Sequence, residues 1–229
     1  MTIAVSPAER ARALWMLVAA TFFWGLSFPV IKTLLLLQEQ LVPEAGGWFS
    51  AIYVLAPRFL IASLVIIAWR PRGFWRITGA EWKQGVIIGL FSSAGMLLQN
   101  DALQFTAAST SAFLTQFYVI LIPVWLTFRH GMVPGGRVWV CCALVLAGVA
   151  VLGRFDWQEL RLGRGEWETL LCSVFFTGQI LWLGKGEFAG NRTEKVTLVM
   201  FVTQAAIFAV AAVAVAPSVA VLVKPWLSA

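Results

Sequence analysis

Four side chains in one apolar stretch, Ser111, Thr115, Tyr118 and Trp125, stand 4, 7 and 14 residues from the first, a spacing that puts them on one face of a helix. Two hydroxyls, a phenol and an indole on an otherwise greasy helix suit the wall of a cavity for a polar solute. They equally suit hydrogen bonding between packed helices, and the pattern leaves both open. The stretch before it offers Ser92 and Gln99 on one face with Asn100 beside them. Such neutral amides could orient an amino-acid-like solute or simply cap the end of their helix. Lys32 and Arg58 are the sharper cases, because a charge at mid-membrane costs about 2.5–3.5 kcal/mol even on insertion scales. Lys32 lies about a turn from the end of its apolar stretch and can snorkel. Arg58 is deeper and needs a partner; Asp101 is the carboxylate within reach, so an Arg58–Asp101 pair is expected.

Other chemistries find little support. The sole histidine, His130, sits between apolar stretches, there is no His-Glu-x-x-His sequence, and no Asp or Glu falls at the centre of an apolar stretch. No metal site, no cofactor and no enzyme activity are expected, and proton coupling through a mid-membrane carboxylate is disfavoured. The seventh apolar stretch lacks the lysine a retinal protein would need, which with the missing buried acids disfavours a seven-helix receptor or an intramembrane enzyme. Cys141, Cys142 and Cys172 lie inside apolar stretches and read as small buried hydrophobes rather than a disulfide framework.

The elements that must position these residues belong in a bilayer. The chain has 229 residues, of which 60% are hydrophobic and 12% charged, and its mean hydropathy is +0.83. A crossing takes about 20 apolar residues, and seven stretches qualify: Leu14 to Leu36, Ser50 to Trp69, Gln84 to Leu103, Ala107 to Phe128, Gly135 to Gly153, Glu168 to Gly184 and Val196 to Ala216. The fifth and sixth are weakest, reaching length only with polar ends. Small residues at helical spacing (Gly85, Gly89 and Ser93; Ala143 and Ala147; Ala205, Ala209, Ala212 and Ala216) predict close helix packing. The formal charge of +6 comes from loop residues and implies no nucleic-acid partner. One side receives eleven Lys and Arg and the other four, three of the four around Arg154 to Glu166, so the N-terminus is predicted to be cytoplasmic.

Phe22-Phe23-Trp24-Gly25, with Lys32 seven residues past the glycine, finds an echo in Phe175-Phe176-Thr177-Gly178, with Lys185 seven residues past its glycine. With five crossings in the first unit the two copies run in opposite directions, an inverted repeat of the kind that supports alternating access. Trp24, in mid-span, either fills a helix contact or faces a cavity, and Thr177 occupies its register in the second copy.

Read in order, the chain resembles the drug/metabolite transporter superfamily, and within it the EamA-like permeases. The resemblance is carried by Trp24-Gly25 with Phe28 and Lys32, by Arg58-Phe59, by Leu98-Gln99 through Ala102-Leu103, Thr106 and Ala108 to Ser111-Ala112-Phe113-Leu114, by Pro123 and by Gly148. It implies ten helices in two inverted five-helix repeats, both termini cytoplasmic, and movement of small metabolites across the inner membrane. The Gly-Glu pair that follows span four in that family is replaced by Phe128-Arg129-His130-Gly131-Met132, which puts any role of that acid in doubt. The expected fold is thus an all-α polytopic membrane helix bundle. Residues 1–13 form a cytoplasmic segment, 14–153 the first repeat, and 154–229 a second repeat of two helices whose last three are missing, as in a truncated reading frame or fragment. The expected function is inner-membrane transport of small metabolites, such as amino acids. The alternative is an incomplete bundle completed by a partner or a second copy. Lipid and a small-molecule substrate are the expected partners, with Trp24, Lys32, Gln99, Asn100, Ser111, Thr115, Tyr118 and Thr177 as cavity candidates.

Overall fold

The computed structural model describes residues 6–69, 76–131, 133–152 and 163–227. Part of the 1–13 segment, Arg70 and Arg72, Gly153 at the end of the fifth stretch, the loop arginines 154 and 161, and the expected boundary between residues 153 and 154 lie outside the described residues.

Helix α1 runs Pro7–Leu41. Its start is written in Ser6-Pro7-x-Glu9: Ser6 Oγ accepts the Glu9 N–H at 3.3 Å, and the Glu9 carboxylate accepts the Ser6 N–H at 2.9 Å. This reciprocal cap leaves Pro7 at the position where its missing N–H costs nothing. At 1.5 Å per residue α1 is about 52 Å long, well beyond the hydrocarbon core, so it crosses with tilt or with its ends in the headgroups. Helix α2 runs Gly46–Trp69 and α3 Gly79–Phe105, the latter opened by the same device in Thr78 and Glu81.

The fourth expected span is two helices, α4 (Ala108–Thr115) and α5 (Tyr118–His130). Between them Gln116 N–H donates to Phe113 C=O, Phe117 to Leu114 and Val119 to Gln116, three-residue bonds that wind the chain more tightly than an α-helix. The physical cause lies downstream. Pro123 has no N–H for the Val119 carbonyl and its ring crowds that oxygen; the freed carbonyl is taken instead by the Cys142 thiol at 3.4 Å.

Helix α6 follows at Gly136–Leu152, α7 at Arg164–Leu183, α8 at Thr193–Val215 and a short α9 at Val219–Leu227. Five helical segments, α1, α2 with its preceding turn, α3, α4–α5 and α8, are long and apolar enough to cross a membrane. The two stretches that were weakest on composition are helical too. Helix α6 is 17 residues long, and α7 opens with Arg164, Glu166 and Glu168. The described residues contain helices, turns and coil only.

Helix α3 is the axis of the bundle, with α7 and α8 packed along it and α2 packed against α8 and, less extensively, α3. Glycines explain the closeness of the first contacts. A β-carbon on Gly85 would lie 2.6 Å from Val199 Cβ and 2.9 Å from the Val196 carbonyl, and one on Gly89 would lie 2.9 Å from Thr203 Cβ. Against α7, Phe176 sits over Gly95 and Phe91 over Gly178. Between α2 and α8 the core is apolar: Ile52, Leu55 and Phe59 meet Ala205, Phe208 and Ala212, with Phe59 stacked on Phe208 at 5.8 Å. The two helices of the expected second repeat are therefore threaded into the first rather than set apart from it. Helix α9, too short to cross, folds back over the start of α2, burying Val221 beside Val42 and Phe49 while its Leu222 carbonyl accepts from the Tyr53 hydroxyl at 2.7 Å.

Candidate functional site

Polar side chains concentrate in a buried seam where α4 and α7 meet α3. Thr115 Oγ1 donates to the Ser111 carbonyl at 2.7 Å and so presents its lone pairs to Gln99 Nε2, which donates to it at 2.9 Å. Thr169 Oγ1 donates to the Gly165 carbonyl at 2.8 Å, leaving it to accept from Ser111 Oγ at 3.4 Å. The Cys172 thiol lies 3.9 Å from Thr115 Oγ1. Further along α3, Gln204 of α8, fully buried, donates to Ser92 Oγ at 2.9 Å. The seam keeps spare capacity: Asn100 Nδ2, Ser93 Oγ and Gln204 Oε1 are buried without partners among the described residues.

Gln99, Ser111 and Thr115 are thus brought together, with Ser92 on the same helix as Gln99. Tyr118 and Trp125 are not, and the expectation of a single four-residue stripe is corrected. The overwound joint at Gln116–Phe117 turns Tyr118 away from the seam, to a cleft of about 440 Å3 that it lines with Arg137, Cys141 and Cys142. Trp125 instead lines a larger cavity of about 970 Å3 between α3, α5 and α7, which also takes in Phe91, Thr177, Trp182 and Lys185. Thr177 is buried and its hydroxyl donates to the Ser173 carbonyl at 2.8 Å. Cys142 and Cys172 are buried as expected, whereas Cys141 faces outward.

Trp24 lies on the open face of α1, 53% exposed, next to the exposed Phe22 and Phe23 in the chain, and it lines neither of these two cavities. The same motif in α7 is packed: Phe176 is buried and Gly178 touches Phe91. Lys32 donates to the Thr106 carbonyl at 2.7 Å. Its ammonium therefore sits at the C-terminal end of α3, where unsatisfied carbonyls and the helix dipole favour a cation.

The Arg58–Asp101 pair is replaced by another. Asp101 is fully buried and ion-pairs with Arg164 at the start of α7, while its other oxygen accepts from Gln104 Nε2 at 3.1 Å. Arg164 also holds Glu168 at 2.8 Å and lies 4.3 Å from the centre of the Phe105 ring. Arg58 precedes Phe59, which points into the α2–α8 core; about 100° away around the helix, Arg58 lies on the exposed face, its guanidinium 5.7 Å from the Phe59 ring centre. At the opposite end of α3 a matching tie joins buried Glu81 to Arg192 at 2.8 Å, and Arg192 also donates to the Arg76 carbonyl at 2.9 Å.

Several members of the site escaped the sequence reading. Thr169 and Ser173 precede the expected Thr177 at four-residue spacing along α7, and Gln204 is an isolated amide inside an apolar helix, so both signals were available. Arg164 was counted only as one of the loop charges that spoiled the orientation tally. Arg129 gave no sign of sharing a cavity with Trp182 and Lys185, because it comes from a helix far from theirs in the chain.

Helices of spanning length and apolarity, packed through glycines around a buried polar seam, define a multi-pass membrane protein. The chain belongs to the EamA-like transporter family, whose model matches residues 11–154. It is 27% identical over 179 residues to an uncharacterized transporter of Archaeoglobus fulgidus, an alignment that takes in 77% of this chain and 50% of that protein. The chain therefore spans about half the length of the curated relative it matches. No solved structure matches it.

Proposed function

We propose that this chain carries small polar metabolites, amino acids or related solutes, across the inner membrane by alternating access between inverted repeats, with its N-terminus on the cytoplasmic side. The observation that carries this reading is that a buried polar seam and a cavity share their helices: Gln99 of α3 and Thr169 of α7 hold the seam together with Ser111 and Thr115 of α4, and the same α3 and α7 wall the 970 Å3 space, which Thr177 lines. A solute in that space would meet neutral donors and acceptors able to exchange hydrogen bonds with it, in a site large enough for an amino acid. Family membership and the likeness to a transporter support the same reading.

The test is counterflow in proteoliposomes loaded with a mixture of unlabelled amino acids and organic acids. Labelled solute is expected to accumulate above protein-free vesicles, and Thr177→Val together with Trp125→Ala should reduce that accumulation several-fold. Accumulation equal to that of empty vesicles for every solute in the mixture overturns the proposal.

A second reading, a bundle that works only with another chain or a second copy, is favoured by α1, whose Phe22, Phe23 and Trp24 are all more than half exposed. It expects Phe23→Cys to form an oxidative cross-link in membranes. A chain that stays uncross-linked and monomeric there while transporting solute removes it.

A further inference from the structure

The 970 Å3 cavity has a charge character that transport of neutral solutes does not use. Its lining contains Arg129, His130 and Lys185 and no Asp or Glu. Arg129 makes no ion pair among the described residues. Lys185 is 3.8 Å from Glu187, but Lys83 approaches the same carboxylate oxygen at 4.0 Å, so two ammoniums share one negative charge. The Lys185 ammonium also lies 3.5 Å from the centre of the Trp182 ring, which fixes it on an aromatic wall. The rest of the wall, Phe91, Ile122, Trp125 and Leu126, is apolar. Two cations that can be met only by an acceptor, Arg129 and Lys185, thus line a large space whose wall is mostly apolar.

We infer that this cavity binds an organic anion, its carboxylate or phosphate held by Arg129 and Lys185 and its apolar or aromatic body laid against Trp125, Trp182 and Phe91. The inference rests on the transport reading in that it names the solute class for the same cavity. Arginine suits the role because its planar fork meets two oxygens of an oxyanion at once, and a site walled by indoles lowers the local dielectric and strengthens the attraction. Basic residues at helix C-termini also complement the helix dipole, so the measurement must separate an anion site from cations that merely serve helix ends.

The full chain in nanodiscs of zwitterionic phosphatidylcholine is titrated calorimetrically with phenylacetate and with phenylacetamide, which differ in charge but hardly in shape. Phenylacetate is expected to bind about tenfold more tightly, a difference of about 1.4 kcal/mol, and to weaken as salt is raised. Arg129→Gln and Lys185→Gln should each erase most of that preference, with Lys185→Arg retaining it; these positions are exposed, so the fold should survive. Equal binding of the two probes, no phenylacetate binding, or a preference untouched in the double glutamine variant overturns the inference, even if the same protein moves neutral solutes in vesicles. Phenylacetate binding in a chain that transports nothing supports the anion site and sinks the transport reading instead. Adding phosphatidylglycerol identifies the source: displacement of the probe from the wild type makes a lipid phosphate the occupant, and undiminished binding makes it a soluble anion.

Discussion

Arg164→Ala is expected to lower the unfolding free energy by about 2–4 kcal/mol. Breaking a buried pair from the cationic side ordinarily costs about 3–5 kcal/mol, because the carboxylate left behind has neither water nor a counter-charge. Here Asp101 is fully buried but Arg164 is 48% exposed, so solvent already screens part of the attraction and the lower range applies. Loss of the guanidinium also leaves Glu168, 14% exposed, beside Asp101 with nothing between the two charges. Asp101→Asn should cost less. It keeps a partner in Gln104, and it leaves Arg164 half in solvent and still paired to Glu168. The informative variant is the double one: Arg164→Ala with Asp101→Asn should be more stable than Arg164→Ala alone. Equilibrium unfolding in mixed detergent micelles, followed by far-UV circular dichroism, measures all three. A double variant no better than the single one would mean that the buried carboxylate is not the source of the loss.

Gly85→Leu is expected to push α8 off α3, at a cost near the upper end of about 1–3 kcal/mol. The clash is with a β-carbon and a backbone carbonyl, Val199 Cβ at 2.6 Å and Val196 O at 2.9 Å, neither of which can rotate away without moving the helix. The comparison is Gly25→Leu. Nothing lies within 4 Å of the β-carbon position there, and leucine is the better helix former by somewhat under 1 kcal/mol, so this variant should be neutral or slightly stabilising. The two variants unfold alike only if α3 and α8 do not pack through the glycine face, and thermal unfolding of the purified chain decides it.

The contrast between these glycines also marks how far the amino-acid sequence could be read. Apolar length and turn chemistry located the helices, including the two whose polar ends made them weak, because burying backbone in lipid leaves helices as almost the only solution for a chain of this kind. Matching of the Phe-Phe-x-Gly copies, however, carried no information about what each copy touches. Gly178 and Phe176 lie in close contact with α3 and Gly25 in open space, since contact depends on which helix arrives alongside. Charge pairing failed for a related reason. Depth alone made Arg58 the partner of Asp101, but the rotation of α2 that buries Phe59 turns Arg58 outward, and the arginine that does arrive comes from 63 residues further on. The joint in the fourth crossing was foreshadowed only by Pro123, and its effect is felt several residues upstream, where no sequence pattern draws attention to Gln116 and Phe117.

That joint has a mechanical consequence. Above it, α4 is pinned by side-chain hydrogen bonds to α3 and through Ser111 to α7; below it, the carbonyl that proline strands is held by a thiol, a far weaker donor than the amide it replaces. The stretch from Tyr118 to His130 is therefore the part of the crossing with the smallest restoring force against bending. Because that stretch also brings Trp125 and Arg129 to the cavity, any bending at the joint would change the shape of that space.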